Sequence, residues 1–229
     1  MTPKRRYTRS FPVVISGPSG VGKSSIVSRL IELDPSVRLS VSVTTRQRRP
    51  AEVEGRDYVF LTGDEFERRR AAGALMEWAE VHGYLYGTPR EPLDRWLAEG
   101  REVLLDIDYQ GGLKIREAYS EAVLIFILAP SWQELEARLR GRGSDAETQV
   151  ARRLDNAARE VSHAERYDYF VVNAEIDVAC EQVKAIMNSE RQRISRLAKG
   201  MPSMLSTGPI SDTSTEDRRA HPARGRAQA

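Results

Sequence analysis

A glycine-rich loop near the N-terminus constrains the fold of this chain more than any other stretch of its sequence. It fits the pattern G-x-x-x-x-G-K-[ST] at every required position. Its residues are Gly17, Pro18, Ser19, Gly20, Val21, Gly22, Lys23 and Ser24, followed by Ser25. In such a loop, backbone N–H groups turn inward on a β-phosphate and the lysine reaches the β and γ oxygens. The last serine is the expected Mg²⁺ ligand.

The sequence on either side of the loop supports this interpretation. The apolar run Phe11 to Ile15 predicts a buried strand that leads into it. Behind the loop, Ile26, Val27, Leu30 and Ile31 recur at helical spacing. The positive N-terminus of that helix adds to anion binding. A strand, this loop and a helix in series predict a nucleoside-triphosphate site rather than a glycine turn without a ligand.

Apolar strands alternate with amphipathic helices along most of the chain. The strongest strand signals are Val103 to Ile107, Val123 to Leu128 and Tyr169 to Val172. Capping boxes mark two helix starts, at Thr62 and at Ser131. Continuous apolar strands between such helices predict an α/β fold whose parallel sheet is covered by helices on both faces.

Residues 40–88 depart from this alternation. The run Leu39 to Thr45 predicts one short strand, and a basic, irregular segment follows it at 46–50. Leu75 to Val81 and Tyr84 to Tyr86 predict two further strands around a turn. The stretch therefore predicts a mostly β insertion within an otherwise alternating pattern.

Composition limits the partners and the compartment. With 229 residues, 40% of them hydrophobic and 30% charged, the chain can bury one good core. The formal net charge of +2 is too small to argue for a nucleic-acid partner. No apolar run predicts a membrane span or a secretory segment. The single Cys180 predicts a small core residue, which suggests a reducing compartment, the cytoplasm. The histidines show no metal-cage spacing.

The two ends of the chain differ from its middle. Residues 1–10 predict a flexible N-terminus. Between 198 and 229, Pro, Gly, Ser, Thr and Arg replace the apolar periodicity, and we expect a disordered, solvated tail. Nucleic-acid binding by the arginines of this tail is the alternative, which strongly salt-dependent association would reveal.

Five sequence blocks, taken in order, resemble the guanylate kinases, the GMP-phosphorylating branch of the nucleoside monophosphate kinases. They are GPSGVGKSS, SVSVTTRQRRPAEVEGRDYVF, LMEWAEVHGYLYGTP, LLDIDYQGG and the arginine-bearing segment near Arg142 to Arg153. The resemblance implies a P-loop parallel sheet with a small, mostly β GMP-binding insertion and a helical lid. It implies a guanylate kinase-like domain at 11–197, with its core at 11–39, 89–137 and 160–197, its GMP-binding lobe at 40–88 and its lid at 138–159.

The resemblance also implies a guanine site. Guanine presents one acceptor, O6, beside two donors, N1–H and the 2-amino group, so a carboxylate suits the donors and a hydroxyl suits O6. The implied carboxylate is Glu77, the implied hydroxyls are Ser42 and Thr88, and Asp106 is implied as the second acid near the 2-amino group. Adenine presents the opposite pattern at these positions, which implies strong discrimination against AMP.

Phosphate contacts follow from the same resemblance. Arg46 and Arg49 correspond to a clamp on the GMP phosphate, to which Tyr58 and Tyr86 supply hydroxyls. The residues implied as catalytic are Lys23, Arg49, Arg142 and Arg153, with Arg138 in support. They would stabilise charge on the transferring phosphoryl group. Asn173 corresponds to a contact with the adenine of ATP.

The resemblance thus implies the reaction ATP + GMP ⇌ ADP + GDP, with dGMP as a further acceptor and Mg²⁺ carried by the triphosphate. We expect the lobe and the lid to close over bound substrates and exclude water. One alternative is a P-loop kinase of a phosphorylated sugar or another nucleotide, for which Glu77 would be unexpected. Another is a non-catalytic module that binds phosphopeptides, for which an intact loop would be unexpected. Oligomeric state is left open.

Overall fold

A central parallel sheet and a smaller second sheet organise the molecule. The structure, a computed structural model, describes residues 9–81, 83–141 and 147–197. In chain order its elements are β1 (Pro12–Ser16), α1 (Lys23–Leu33), β2 (Arg38–Leu39), β3 (Val43–Thr44), β4 (Val59–Phe60), α2 (Gly63–Ala71), β5 (Leu75–Val81), β6 (Tyr84–Pro89), α3 (Arg90–Ala98), β7 (Val103–Asp106), α4 (Tyr109–Ala118), β8 (Val123–Leu128), α5 (Trp132–Arg140), α6 (Glu147–Val161), β9 (Tyr169–Val172) and α7 (Ile176–Arg191). None of these helices is long and apolar enough to cross a membrane.

The central sheet has the strand order β2-β7-β1-β8-β9, and all of its pairings are parallel. Its middle strand β1 is buried along its whole length. One hydrophobic cluster covers one face with residues of α1, α5, α6 and α7, and a second cluster covers the other face with residues of α3 and α4. The α/β prediction with helices on both faces is confirmed. Because parallel strands share one carboxyl edge, the loop after β1 and the ends of β7 and β9 lie together.

The second sheet has the order β4-β3-β6-β5 and packs on Phe66 of α2. The prediction of one strand from Leu39 to Thr45 was wrong, because this run contributes to both sheets. Leu39 pairs with Leu104 in the central sheet, whereas Val43 and Thr44 pair with β6 in the second one. The chain therefore leaves the central sheet between β2 and β3, and the long antiparallel pair of β5 and β6 is the main ladder of the second sheet.

A buried ion pair ties the C-terminal part of the described chain to the core. Arg196 is 3% exposed and Glu190 2% exposed, and Nη2 of Arg196 donates to Oε2 of Glu190 over 2.7 Å. The guanidinium also donates to the carbonyl oxygen of Glu121 and lies 4.0 Å from the centroid of the Phe11 ring. The last helix, α7, ends at Arg191, and Ile194 beyond it is exposed.

Replacing Arg196 with alanine is expected to lower the free energy of unfolding by about 3 kcal/mol, because it leaves the carboxylate of Glu190 buried without its main partner. Arg193 offers a matched control, since its exposed guanidinium contacts the same carboxylate at 3.2 Å. Arg193→Ala should cost less than about 1 kcal/mol. Urea denaturation of both variants measures the difference, and equal losses would contradict the assignment of Arg196 as the anchor.

Candidate active site

The phosphate loop joins the central strand β1 to α1. Gly17 has a φ of 143°, and a Cβ at this position would lie 2.2 Å from the carbonyl oxygen of Ile127. Gly22 has a φ of 92°. Conformation therefore limits both positions to glycine, and at Gly17 the backbone of Ile127 also leaves no space for a side chain. The Nζ of Lys23 donates to the carbonyl oxygen of Gly17 over 2.5 Å, which holds the ammonium over the loop. The first backbone N–H groups of an α-helix have no partner within the helix, so those of α1 are available to donate to an anion bound at the loop.

Asn173 holds the loop from behind. It follows β9, is 5% exposed, and its Nδ2 donates to the carbonyl oxygen of Val21 over 2.7 Å. A Cβ on Gly22 would lie 2.5 Å from this Nδ2. One N–H of the Asn173 amide is thus engaged by the loop, and the predicted contact with adenine would use the other N–H or Oδ1.

Ser24 and Asp106 place two oxygens beside the loop. Asp106 ends β7, the neighbour of β1, and the Ser24 hydroxyl donates to its Oδ2 over 2.7 Å. Mg²⁺ binds through one or two protein oxygens together with substrate phosphates and water, so this pair fits it. Within the described ranges, no group of three or more His, Cys, Asp or Glu side chains could hold a metal on its own. Asp106 thus contacts Ser24, and its place beside the guanine amino group stays a prediction.

A second polar site lies on the small sheet. Glu77 on β5 pairs in register with Thr88 on β6, and the Thr88 hydroxyl donates to Oε1 of Glu77 over 2.6 Å. Both side chains are buried, as is Ser42, one residue before β3. Burial raises the pKa of Glu77 to about 7, and the nearby carboxylate of Asp108 adds to this effect. A buried carboxylate beside a hydroxyl on the neighbouring strand has the chemistry predicted for a guanine site, since the carboxylate suits the donors of the base and the hydroxyl suits O6.

A cationic cluster on the same sheet holds the predicted phosphate clamp. Nε of Arg46 donates to the Tyr86 hydroxyl over 3.2 Å, and its guanidinium lies 5.4 Å from the centroid of the Tyr58 ring. Both Nη atoms of Arg46 donate to the carboxylate of Glu52, at 3.1 and 2.7 Å. The same carboxylate accepts from the backbone N–H of Arg49 over 2.8 Å. The structure thus brings these three predicted side chains and the backbone of Arg49 into one cluster.

The comparisons with known proteins agree with this geometry. A family model described as guanylate kinase matches residues 9–190. A guanylate kinase of Rhizobium meliloti (strain 1021) is 48% identical over 197 residues, which cover 86% of this chain and 90% of the relative. The chain belongs to the guanylate kinase family. A guanylate kinase of Mesorhizobium japonicum (strain LMG 29417 / CECT 9101 / MAFF 303099) is 50% identical over 189 residues, covering 82% of this chain and 87% of the relative. The crystal structure of guanylate kinase from Anaplasma phagocytophilum matches with a TM-score of 0.71 and 37% identity, over 84% of this chain and 92% of that one.

Two of the arginines expected to act on the transferring phosphoryl group, Arg138 and Arg153, lie on helices of this guanylate kinase family member. Arg138 on α5 donates through Nε to Glu134 over 2.9 Å, the helical i, i+4 spacing. Arg153 lies on α6, which packs against α5. Arg142 lies outside the described residues. The catalytic roles of Arg142 and Arg153 stay predictions.

Three carboxylates near the site were missed as functional candidates. Asp108 caps α4, accepting from Gly111 N–H over 2.8 Å, and it lies close enough to raise the pKa of Glu77. Burial raises the pKa of Glu160 on α6 to about 7, while nearby Lys23 opposes this. Glu52 accepts from Arg46 and from the backbone N–H of Arg49, the two arginines of the predicted phosphate clamp. Only Glu52 carried a local signal, an acid three residues after Arg49.

The raised pKa of Glu77 predicts a pH dependence of GMP recognition. Only the ionised carboxylate accepts hydrogen bonds from both guanine donors. With a pKa of about 7, the ionised fraction falls roughly tenfold from pH 8 to pH 6, so KM for GMP should rise by about that factor. Steady-state kinetics at saturating ATP measures this. The GMP phosphate also titrates, near pH 6.

Glu77→Gln separates the two titrations, because the variant keeps only the effect of the phosphate. A pH profile for KM that is identical in the wild type and in Glu77→Gln would show that the carboxylate is already ionised at pH 6 or does not contact the base.

Proposed function

We propose that this chain transfers the γ-phosphate of ATP to GMP, giving ADP and GDP, in the cytoplasm. The observation that carries the proposal is the combination of an intact phosphate loop on the central sheet with the buried, threonine-bound carboxylate of Glu77 on the second sheet. One site suits a triphosphate and the other a guanine base. Two nucleotides bound in this way are the substrates of a nucleoside monophosphate kinase.

On the donor side, the loop amides and the N-terminus of α1 bind the β-phosphate, and Lys23 moves from loop carbonyls to the β and γ oxygens. Ser24 and Asp106 would hold Mg²⁺, which supplies charge neutralisation between the β- and γ-phosphates when bound. Asn173 keeps the loop in place through Val21.

On the acceptor side, Glu77 accepts from N1–H and the 2-amino group of guanine, while the hydroxyls of Ser42 and Thr88 are available to O6. Arg46 and Arg49 bind the GMP phosphate, with the hydroxyls of Tyr58 and Tyr86 completing the contact. The support for this clamp is that Glu52 already orients Arg46 toward Tyr86. With its base and its phosphate held in this way, GMP would present one phosphate oxygen to the γ-phosphate of ATP.

Catalysis then depends on position and charge. The acceptor phosphate is already an anion near neutral pH, so no general base is needed. In the transition state, negative charge spreads over the equatorial oxygens of the transferring phosphoryl group. Arg142 and Arg153, with Arg138 in support, would neutralise that charge as the lid and the lobe close and exclude water. Each arginine that reaches the transition state can contribute about 10³-fold or more to the rate.

A coupled assay of ADP release with GMP, dGMP, AMP, CMP and UMP in parallel tests the proposal. We expect turnover of GMP, and of dGMP because no assigned contact reads the 2′-hydroxyl. We expect little turnover of AMP, since a site that hydrogen-bonds one base discriminates by about 10⁴-fold when its groups stay unpaired. Equal rates with AMP and GMP would refute the guanine assignment. ATP binding without any turnover would indicate a binding module instead.

A further inference from the structure

Gly111 lies inside the first turns of α4, where its own conformation does not require a glycine. Its φ is outside the left-handed range, unlike the glycines of the phosphate loop. Glycine at such a position is less favourable than alanine by about 1 kcal/mol. The residue is also buried. A reason other than backbone conformation therefore has to account for a glycine here.

The space beside Gly111 supplies that reason. A Cβ on Gly111 would lie 2.8 Å from Oε2 of Glu77 and 3.0 Å from its Cδ, with Cδ1 of Ile107 next at 3.3 Å. Ordinary contacts to a Cβ begin near 3.4 Å, so the carboxylate would have to move by about half an ångström. The other oxygen of the same group is held by Thr88 over 2.6 Å. The Glu77 carboxylate thus lies between the Thr88 hydroxyl on one side and, on the other, the space that a side chain at Gly111 would fill.

We infer that Gly111 is a positioning residue for guanine recognition, because the absent side chain leaves the room in which the Glu77 carboxylate can face both donors of the base. The inference rests on the proposed function, in which Glu77 reads guanine. It extends the specificity site from the strands β5 and β6 to the helix α4 of the central domain. The first turn of α4 then sets how far the carboxylate lies from the base.

Gly111→Ala tests this inference. Displacing a recognition group by about half an ångström should raise KM for GMP roughly tenfold, since misplacements of about 1 Å cost about 10²-fold. KM for ATP and kcat at saturating GMP should stay within about twofold, because the phosphate loop is untouched. Gly63→Ala is the matched control, as Gly63 also begins a helix and a Cβ there meets nothing within 4 Å. Its constants should match those of the wild type.

A double-mutant cycle with Glu77→Asp separates positioning from mere packing. The shorter side chain withdraws the carboxylate from Gly111. Adding Gly111→Ala to Glu77→Asp should therefore raise KM for GMP by much less than the roughly tenfold expected when Gly111→Ala is introduced into the wild type. Equal penalties in both backgrounds, or an unchanged KM for GMP in Gly111→Ala, would overturn the inference. If Gly111→Ala does not fold, the inference requires that Glu77→Asp restore folding, and an unfolded double variant overturns it.

The failure of the inference is distinguishable from the failure of the proposed function. A wild-type chain that does not phosphorylate GMP refutes the function, whatever the variants do. A wild-type chain that is active, together with Gly111→Ala at full affinity for GMP, refutes only the role of Gly111.

Discussion

Lys23→Met is expected to lower kcat by about 10³-fold. The methionine keeps an unbranched side chain, one atom shorter, but removes the only positive charge that the loop itself places beside the β- and γ-phosphates. Charge on the equatorial oxygens is largest in the transition state, so the loss falls on the rate of transfer more than on substrate binding. A coupled ADP-release assay at saturating ATP and GMP measures it.

Lys184→Met provides the matched control. Lys184 lies on α7, where its ammonium is 3.6 Å from Glu181 on the surface, and its replacement should leave kcat unchanged. The ammonium of Lys23 contacts loop carbonyls, so the variant could also disturb the loop. ATP protection against thermal unfolding distinguishes these effects: protection that persists while kcat falls assigns the loss to transfer. A kcat within tenfold of the wild type would contradict a catalytic role for Lys23.

Local sequence was enough to predict the parts of the fold that depend on neighbouring residues. The phosphate loop lies within nine consecutive residues, and its strand and helix carry clear apolar patterns. Thr62 and Ser131 accept from the N–H groups three residues on, as their capping boxes predict. Asp108 makes the same contact at the start of α4 without a capping box, since its side chain accepts from Gly111 N–H. Each of these features is set by the chemistry of one turn, so the sequence displays it directly.

Contacts between distant segments could not be predicted in this way. Apart from the family resemblance, the local pattern does not distinguish Glu77 from a surface carboxylate, and only the register of β5 and β6 shows that Thr88 lies opposite to it. The contact with Gly111 needs the packing of α4 on β5 as well. The placement of Asp106 beside Ser24 depends on β7 lying next to β1. The order of strands, which no single strand encodes, therefore decides that Asp106 lies beside Ser24 of the phosphate loop and that Glu77 lies opposite Thr88.

Glu77→Gln is expected to lower kcat/KM for GMP by about 10³-fold, because the side chain keeps its shape but exchanges one acceptor oxygen for an N–H₂ donor. That donor would face a donor of guanine, leaving both unpaired in a buried site. Thr88 can still donate to the remaining oxygen. The loss should appear mainly in KM, since the contact is made before and during transfer alike. Initial rates over a range of GMP concentrations at saturating ATP measure it.

Stability separates this loss from unfolding. The folded state holds the Glu77 proton more tightly than the unfolded chain, whose glutamate pKa is about 4.3, so ionisation lowers the free energy of unfolding as the pH rises from about 4 to 7. Glutamine does not ionise, and Glu77→Gln should be at least as stable as the wild type above pH 7. Glu80→Gln, on the exposed face of the same strand, should change neither kinetics nor stability. A glutamine variant that is more stable yet poor with GMP would show that Glu77 is retained for recognition at a cost in folding, whereas wild-type kcat/KM in this variant would remove Glu77 from the guanine site.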